Sequence, residues 1–118
     1  MENINRVTTR ENILMKTYDF AKKLFPALGR FPKNHRYTLG ARIEEKTLEI
    51  IEFLTKAYYS KEKIGYLDSA NINMELLRFL LRLSSDFRFI SLNYYTMITA
   101  DLDEIGKMTG GWKKMLSK

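Results

Sequence analysis

The chain has 118 residues, 45% of them hydrophobic, which is typical of one folded domain and excludes a disordered chain. Twenty Lys and Arg against fourteen Asp and Glu give a net charge of +6, which favours polyanionic or acidic partners. Cysteine is absent, which excludes disulfides and thiolate metal sites. Because the amino terminus lacks the apolar core of a secretory signal and no apolar run approaches the roughly 20 residues that span a bilayer, we expect a cytoplasmic protein without a membrane partner.

The first predicted helix covers about residues 9–29. Thr8 and Glu11 have the spacing of a capping box. Residues of an inward face then recur at intervals of three and four, at Ile13, Thr17, Phe20, Leu24 and Leu28. Pro26 predicts a kink or an end, and Gly29 predicts a stop. A basic linker, residues 30–36, follows.

The second predicted helix covers about residues 38–60. Its inward face is Leu39, Ile43, Thr47, Ile50, Leu54, Ala57 and Tyr58. Leu48 and Ile51 lie off this face and indicate a second contact surface. The carboxylates fall on the outer side, where lysines accompany them, so we interpret them as a solvated face: Glu44, Glu45, Glu49 and Glu52.

The third predicted helix, about residues 62–86, has an unusually wide apolar face. Its principal residues are Ala70, Met74, Leu77 and Leu81. Five more widen the face to about 200°, at a rotation of 100° per residue: Leu67, Leu76, Leu80, Leu83 and Phe87. A free-standing four-helix bundle needs a narrower face. The width therefore predicts burial at the centre of the chain or against a neighbouring subunit.

The fourth predicted helix covers about residues 92–116, with Ser91 or Asn93 as its cap. Asp101 falls within its apolar arc, so we expect an Arg or Tyr partner from another helix or subunit. Gly110 and Gly111 weaken the last turns by roughly 1 kcal/mol each relative to Ala, which predicts close backbone approach or an early end.

Strand patterns are absent, and four helices of about 20 residues with short connections favour one architecture. The sequence predicts an all-α, up-down-up-down four-helix bundle that forms a single domain over residues 1–118.

Catalytic residues are scarce. His35 is the only histidine and lies in the basic linker, where a solvated or capping role is favoured over a general base. One histidine cannot supply the paired Glu-x-x-His motifs of a bundle metal site. Phosphate-binding glycine loops and nucleophile motifs are also absent. We therefore expect no enzyme, no cofactor and no metal.

The positive charges form two blocks. Residues 30–46 carry five positive and two negative charges, and residues 107–118 carry four positive and no negative charges. The blocks could form one patch if they meet in space or repeat around an oligomer. The alternative is that lysines at the end of the last helix complement its dipole, a reading that suits Lys113, Lys114 and Lys118.

Arg78 and Arg82 lie one turn apart on the third helix. They are candidates for phosphate recognition, but Glu75 and Asp86 have the spacing of intrahelical ion-pair partners. Four tyrosines could stack on bases, although packing in a core or interface is the commoner role at helical spacing: Tyr58, Tyr59, Tyr94 and Tyr95.

Three pieces carry a resemblance to a known family. They are Arg30-Phe31-Pro32-Lys33 leading to Tyr37-Thr38-Leu39-Gly40-Ala41-Arg42-Ile43, then Leu76-Leu77-Arg78-Phe79-Leu80-Leu81-Arg82-Leu83, and finally Glu104-Ile105-Gly106-Lys107-Met108-Thr109-Gly110-Gly111-Trp112. With these pieces the chain resembles the accessory variability determinant (Avd) proteins of diversity-generating retroelements. It also resembles the wider family of four-helix-bundle proteins encoded by intervening sequences of bacterial 23S ribosomal RNA genes.

The resemblance implies a homopentameric barrel that binds the retroelement reverse transcriptase and its template RNA in support of mutagenic reverse transcription. By position, Arg78 and Arg82 match the family's helix-3 arginines, and Arg42 matches the basic start of helix 2. Our nucleic-acid-binding candidates are Lys33, Arg36, Arg42, Arg78, Arg82, Arg88 and Lys114. Two alternatives stay open. One is an oligomeric interaction protein of the intervening-sequence type without specific RNA binding, and the other is a small helical enzyme.

Overall fold

The computed structural model describes the backbone of residues 9–117 and the side chains of residues 12–117, and this part of the chain contains helices and no strand. The four long helices are α1 (Thr9–Leu28), α2 (Ala41–Tyr59), α3 (Ile64–Asp86) and α4 (Leu92–Leu116). Each packs against the next along the chain, and α4 packs back against α1. The all-α, four-helix prediction is therefore confirmed.

Neighbouring helices run antiparallel. Lys23, near the end of α1, pairs with Asp101 in the first half of α4. Lys113, in the last turn of α4, pairs with Asp68 near the start of α3. The α1–α2 linker and the α3–α4 loop therefore lie at one end of the bundle, called here the linker end. The α2–α3 loop and the carboxyl end of α4 lie at the opposite end.

The inward positions of the four helices meet in one apolar core. Its largest fully buried side chains are Trp112, Phe20, Phe31, Ile13, Leu24, Ile43, Ile50, Leu54, Leu67, Met74, Leu77 and Leu81. Three threonines are also buried, and each hydroxyl donates to the carbonyl four residues earlier at 2.8 Å. Their polar atoms are therefore satisfied without breaking the core.

The helices differ from prediction at their starts. Helix α2 begins at Ala41, not near residue 38, because the preceding residues Arg36–Gly40 form a π-helical turn. This wider turn buries Gly40 against Phe31, and a Cβ on Gly40 would lie 3.6 Å from a ring carbon of Phe31. Helix α1 continues through Pro26 and ends directly before Gly29. The capping box of Thr8 and Glu11 lies outside the described side chains.

Helix α4 has the predicted cap, since Ser91 Oγ accepts a hydrogen bond from the Tyr94 N–H at 3.1 Å. It continues through Gly110 and Gly111, and a Cβ on either would meet nothing within 4 Å. The prediction of an early end or a close approach there is wrong for the described chain. The close approach occurs at Gly106, where a Cβ would lie 3.1 Å from Arg78 Nη2.

Two further expectations need correction. The partner of Asp101 comes from another helix, as predicted, but it is Lys23 at 3.0 Å, neither Arg nor Tyr. The wide face of α3 is buried in this chain only in part, because Leu76, Leu83 and Phe87 are exposed while its other residues pack in or against the core. An exposed apolar row follows its outer side at helical spacing, and we call it the α3 stripe: Ile72, Leu76, Phe79 and Leu83.

Candidate nucleic-acid interface

The linker end carries an uninterrupted basic segment. Residues 29–42 contain four cationic side chains and no carboxylate. Phe31 fixes this segment to the bundle, because its side chain is 1% exposed and belongs to the core. Its neighbours Arg30 and Lys33 are exposed. A buried aromatic anchor therefore holds solvent-facing cations on either side of it.

Hydrogen bonds set the path of the linker. The backbone N–H groups of His35 and Arg36 both donate to the Pro32 carbonyl, at 2.8 Å and 3.0 Å. The Arg36 side chain folds back, and its Nη2 donates to the Phe31 carbonyl at 3.3 Å. Its Nε is buried without a hydrogen-bond partner among the described residues. Arg36 is thus partly engaged in holding the linker.

The α3–α4 loop begins with a left-handed residue. Arg88 has φ of 62°, the only positive φ of a non-glycine among the described residues. Its N–H donates to the Ser85 carbonyl at 2.9 Å, and the Phe89 N–H donates to the Ser84 carbonyl at 2.8 Å. These two bonds form a Schellman motif, in which glycine usually takes the left-handed position. The loop therefore holds the arginine at its tip in a backbone conformation that is less favourable for arginine than for glycine.

The linker and this loop meet through aromatic rings. The rings of Phe87 and Phe89 stack with centroids 5.7 Å apart and planes 20° apart. From the linker, His35 also packs on Phe89, with ring centroids 4.8 Å apart and planes 34° apart. Phe31 approaches Phe89 at 5.5 Å from the core. We call Phe87, Phe89 and His35 the ring column.

The ring column corrects the reading of His35 as a solvated or capping residue. Its side chain is half-buried and packs on Phe89, because the linker and the loop are pressed together at this end. Because His35 and Phe89 are far apart in the chain, the sequence around His35 did not indicate this contact. The available hint was the pair of aromatic residues, Phe87 and Phe89, on either side of Arg88.

The other two candidates on helices near this end are ion-paired within α2 or α3. Arg42 Nε lies 3.9 Å from Glu45 Oε1, and both side chains are more than half exposed. Arg82 Nε lies 4.0 Å from Asp86 Oδ2, again with both partners exposed. Exposed pairs of this kind contribute little to stability, so both arginines are available to a stronger anion.

Arg78 and Lys114 lie apart from the linker end. Arg78 pairs with Glu75 on its own helix, and its Nη2 lies 2.9 Å from Asp103 Oδ1 on α4. Lys114 is exposed at the opposite end of the bundle. The two basic blocks therefore do not meet within one chain, because antiparallel packing separates the linker from the carboxyl end of α4.

The four tyrosine candidates are used inside the bundle or lie away from the linker surface. The Tyr94 hydroxyl donates to the Lys23 carbonyl at 2.9 Å and joins α4 to the end of α1. Burial raises the pKa of Tyr94 above its ordinary value, while Arg30 lowers it and Asp101 raises it by smaller amounts. Tyr58 and Tyr59 make an edge-to-face contact at the opposite end. Tyr95 is half-buried against the core.

Residues 12–117 contain neither a metal-binding cluster nor a membrane-spanning helix. No group of carboxylate and histidine side chains in this range has the arrangement needed to hold a metal ion. No helix in the described part of the chain is both long and apolar enough to cross a membrane.

A family model described as bAvd-like matches residues 12–116. The chain belongs to the bAvd-like family. The match covers the linker, the α3–α4 loop and all four helices except the first residues of α1, so the site described above lies within the family region. No curated protein matches the chain.

A solved structure shares the fold of this bAvd-like chain. It is the 1.70 Å crystal structure of a protein of unknown function from the S23 ribosomal protein family of Bacteroides thetaiotaomicron VPI-5482. The TM-score is 0.83 over 91% of this chain and 99% of that chain, with 17% sequence identity. At that identity the likeness shows the fold alone.

Proposed function

We propose that this chain is a non-catalytic accessory protein of a diversity-generating retroelement, which binds the reverse transcriptase and the template RNA to support mutagenic reverse transcription. Membership of the bAvd-like family supports the accessory type. The RNA surface is the linker end, where the basic linker and the α3–α4 loop pack together. The chain contributes binding and positioning, and the polymerase contributes the chemistry.

One observation carries the RNA assignment. Arg30, Lys33 and Arg88 are exposed, and none of the three has an ion-pair partner among the described residues. Elsewhere the cations Lys23, Arg78 and Lys113 pair with carboxylates across helices. Because residues 29–42 contain no carboxylate, the cations there leave a local positive field, which attracts a phosphate backbone more strongly than neutralised pairs do.

The same proposal includes a homo-oligomer, with five copies by family resemblance. The α3 stripe supports self-association, because Phe79 is 71% exposed and Ile72 is 62% exposed in the single chain. An exposed apolar row along one helix is typical of a protein–protein contact. A ring of copies would repeat the linker end around its rim, which multiplies the phosphate contacts available to one RNA.

The test of RNA binding is a matched pair of double charge reversals. Lys33→Glu with Arg88→Glu changes the linker end, and Lys61→Glu with Lys114→Glu makes the same change in net charge at the opposite end. Loss of two phosphate contacts should lower affinity for structured RNA by at least about 25-fold and reduce the salt slope by about 1.4. The opposite-end double variant should retain most of the affinity. Filter binding across a salt series measures both quantities.

Equal losses in the two double variants would mean that net charge alone governs binding, and would contradict the linker-end assignment. A wild-type oligomer that retains no RNA at about 50 mM salt would favour the alternative of an intervening-sequence-type interaction protein. The remaining parts have separate tests. Co-purification with a retroelement reverse transcriptase tests the partner, and light scattering tests the oligomer, since a mass of 13.9 kDa would contradict self-association.

A further inference from the structure

The exposed end of the ring column is an unused aromatic surface. Phe89 is half-buried and contacts both Phe87 and His35, but the side chain of Phe87 is 62% exposed. The stack is held from beneath, because Phe31 contacts Phe89 and is itself buried in the core. Phe87 therefore presents a ring that contacts the anchored Phe89 and is largely open to solvent.

The left-handed turn at Arg88 produces this arrangement. Arg88 separates Phe87 from Phe89, and the two Schellman hydrogen bonds reverse the chain so that the rings lie 20° from parallel. The arginine itself stays exposed beside the stacked rings. On the linker side, Lys33 lies two residues from His35, the third member of the column. Two exposed cations thus lie within two residues of members of the ring column, whose outer ring, Phe87, is exposed.

A supported aromatic ring next to unpaired cations is the arrangement that binds single-stranded nucleic acids. Every unpaired base has a face that can stack on such a ring, while cations beside it hold the adjacent phosphates. In a duplex the base faces are already stacked, so the same surface can offer it only the phosphate contacts. The column therefore distinguishes strands by their pairing, whereas charge alone does not.

We infer that the linker end binds a single-stranded segment of RNA, with one unpaired base stacked on Phe87 and the adjacent phosphates held by Arg88 and Lys33. This rests on the proposed function and specifies its ligand. The base is held by its aromatic face, so the site selects unpaired nucleotides and is tolerant of their sequence.

The experiment compares aromatic and aliphatic side chains at two exposed positions. Phe87→Leu removes the ring and keeps an apolar side chain, and Phe87→Trp enlarges the ring. Phe79→Leu is the matched control, because Phe79 is at least as exposed but lies on the α3 stripe away from the ring column. The probes are a short uridine-rich single strand with one 2-aminopurine and a hairpin duplex of equal phosphate number. Each variant is also weighed by light scattering.

Phe87→Leu should lower the affinity for the single strand by about ten-fold, because stacking is lost. The affinity for the duplex should change by no more than about two-fold. Phe87→Trp should bind the single strand at least as well as wild type, and 2-aminopurine fluorescence should be quenched on binding to wild type but not to Phe87→Leu. Phe79→Leu should not change the preference for the single strand over the duplex.

Three results would overturn the inference while leaving the proposed function standing. They are unchanged single-strand affinity in Phe87→Leu, equal loss of single strand and duplex in that variant, and a lowered oligomer mass that assigns Phe87 to an interface between copies. Failure of wild type to bind either probe would contradict the proposed function itself.

Discussion

The two ends of the bundle use their positive charges differently. At the opposite end the Lys63 ammonium donates to three carbonyls, those of Ala57 at 2.8 Å, Tyr58 at 3.1 Å and Ser60 at 2.6 Å. This lysine closes the carboxyl end of α2, where helix carbonyls lack backbone partners. At the linker end, Lys33 and Arg88 make no comparable contact within the described chain. Lys63 at one end stabilises the fold, whereas Lys33 and Arg88 at the other end remain available.

The stabilising role of the opposite end can be tested at Lys63. Lys63→Ala removes the cation that satisfies three carbonyls and should lower the free energy of unfolding by about 2 kcal/mol, with little effect on RNA affinity. Lys61→Ala, an exposed neighbour, should change stability by no more than about 0.5 kcal/mol. Urea denaturation and filter binding measure the two properties. If Lys63→Ala lost as much RNA affinity as Lys33→Ala, the separation of fold-stabilising from RNA-binding lysines would be contradicted.

At the linker end, two substitutions of Arg88 separate its backbone strain from its phosphate contact. Arg88→Gly relieves the left-handed strain and should raise the free energy of unfolding by about 1 kcal/mol, while RNA affinity falls about five-fold through one lost phosphate contact. Arg88→Ala keeps the strain and should show the loss of affinity without the gain in stability. If Arg88→Gly is no more stable than Arg88→Ala, the left-handed backbone at this position is not strained.

The smallest expected effect concerns the hydrogen bond that fastens the linker end of α1 to α4. The Tyr94 pKa is raised from 10.0 by burial, so its contribution to stability is complete below pH 10 and is lost as the pH rises through the raised value. Tyr94→Phe should cost about 1 kcal/mol near neutral pH. Above pH 10, wild type should lose stability more steeply than Tyr94→Phe. Tyr59→Phe, with an exposed ring, is the control, and parallel alkaline curves for wild type and Tyr94→Phe would contradict the assignment.

Patterns that repeat along one helix were readable from the sequence. Spacing of three and four predicted the inward faces, and Ser91, one of the two predicted caps, is the cap of α4. The intrahelical partners of Arg78 and Arg82 also followed from their spacing, since Glu75 and Asp86 lie one turn away.

Contacts between distant segments were not readable. The contact of His35 with Phe89 joins two loops that meet only because the bundle is closed. The left-handed Arg88 was hidden because glycine is the usual residue at that position. The same holds for Asp101. The apolar arc of α4 indicated that this carboxylate needs a partner, but that the partner is Lys23 of α1 could not be predicted from α4 alone.

The chain's single tryptophan lies in the last turns of α4, 1% exposed and remote from the linker end. Its emission therefore reports the packing of the opposite end and provides an intrinsic signal of unfolding. RNA bound at Phe87 does not change the surroundings of the Trp112 indole. The tryptophan fluorescence should therefore stay constant when the protein is titrated with RNA. A shift in emission on adding RNA would mean that the ligand deforms the whole bundle, a mechanical coupling from end to end.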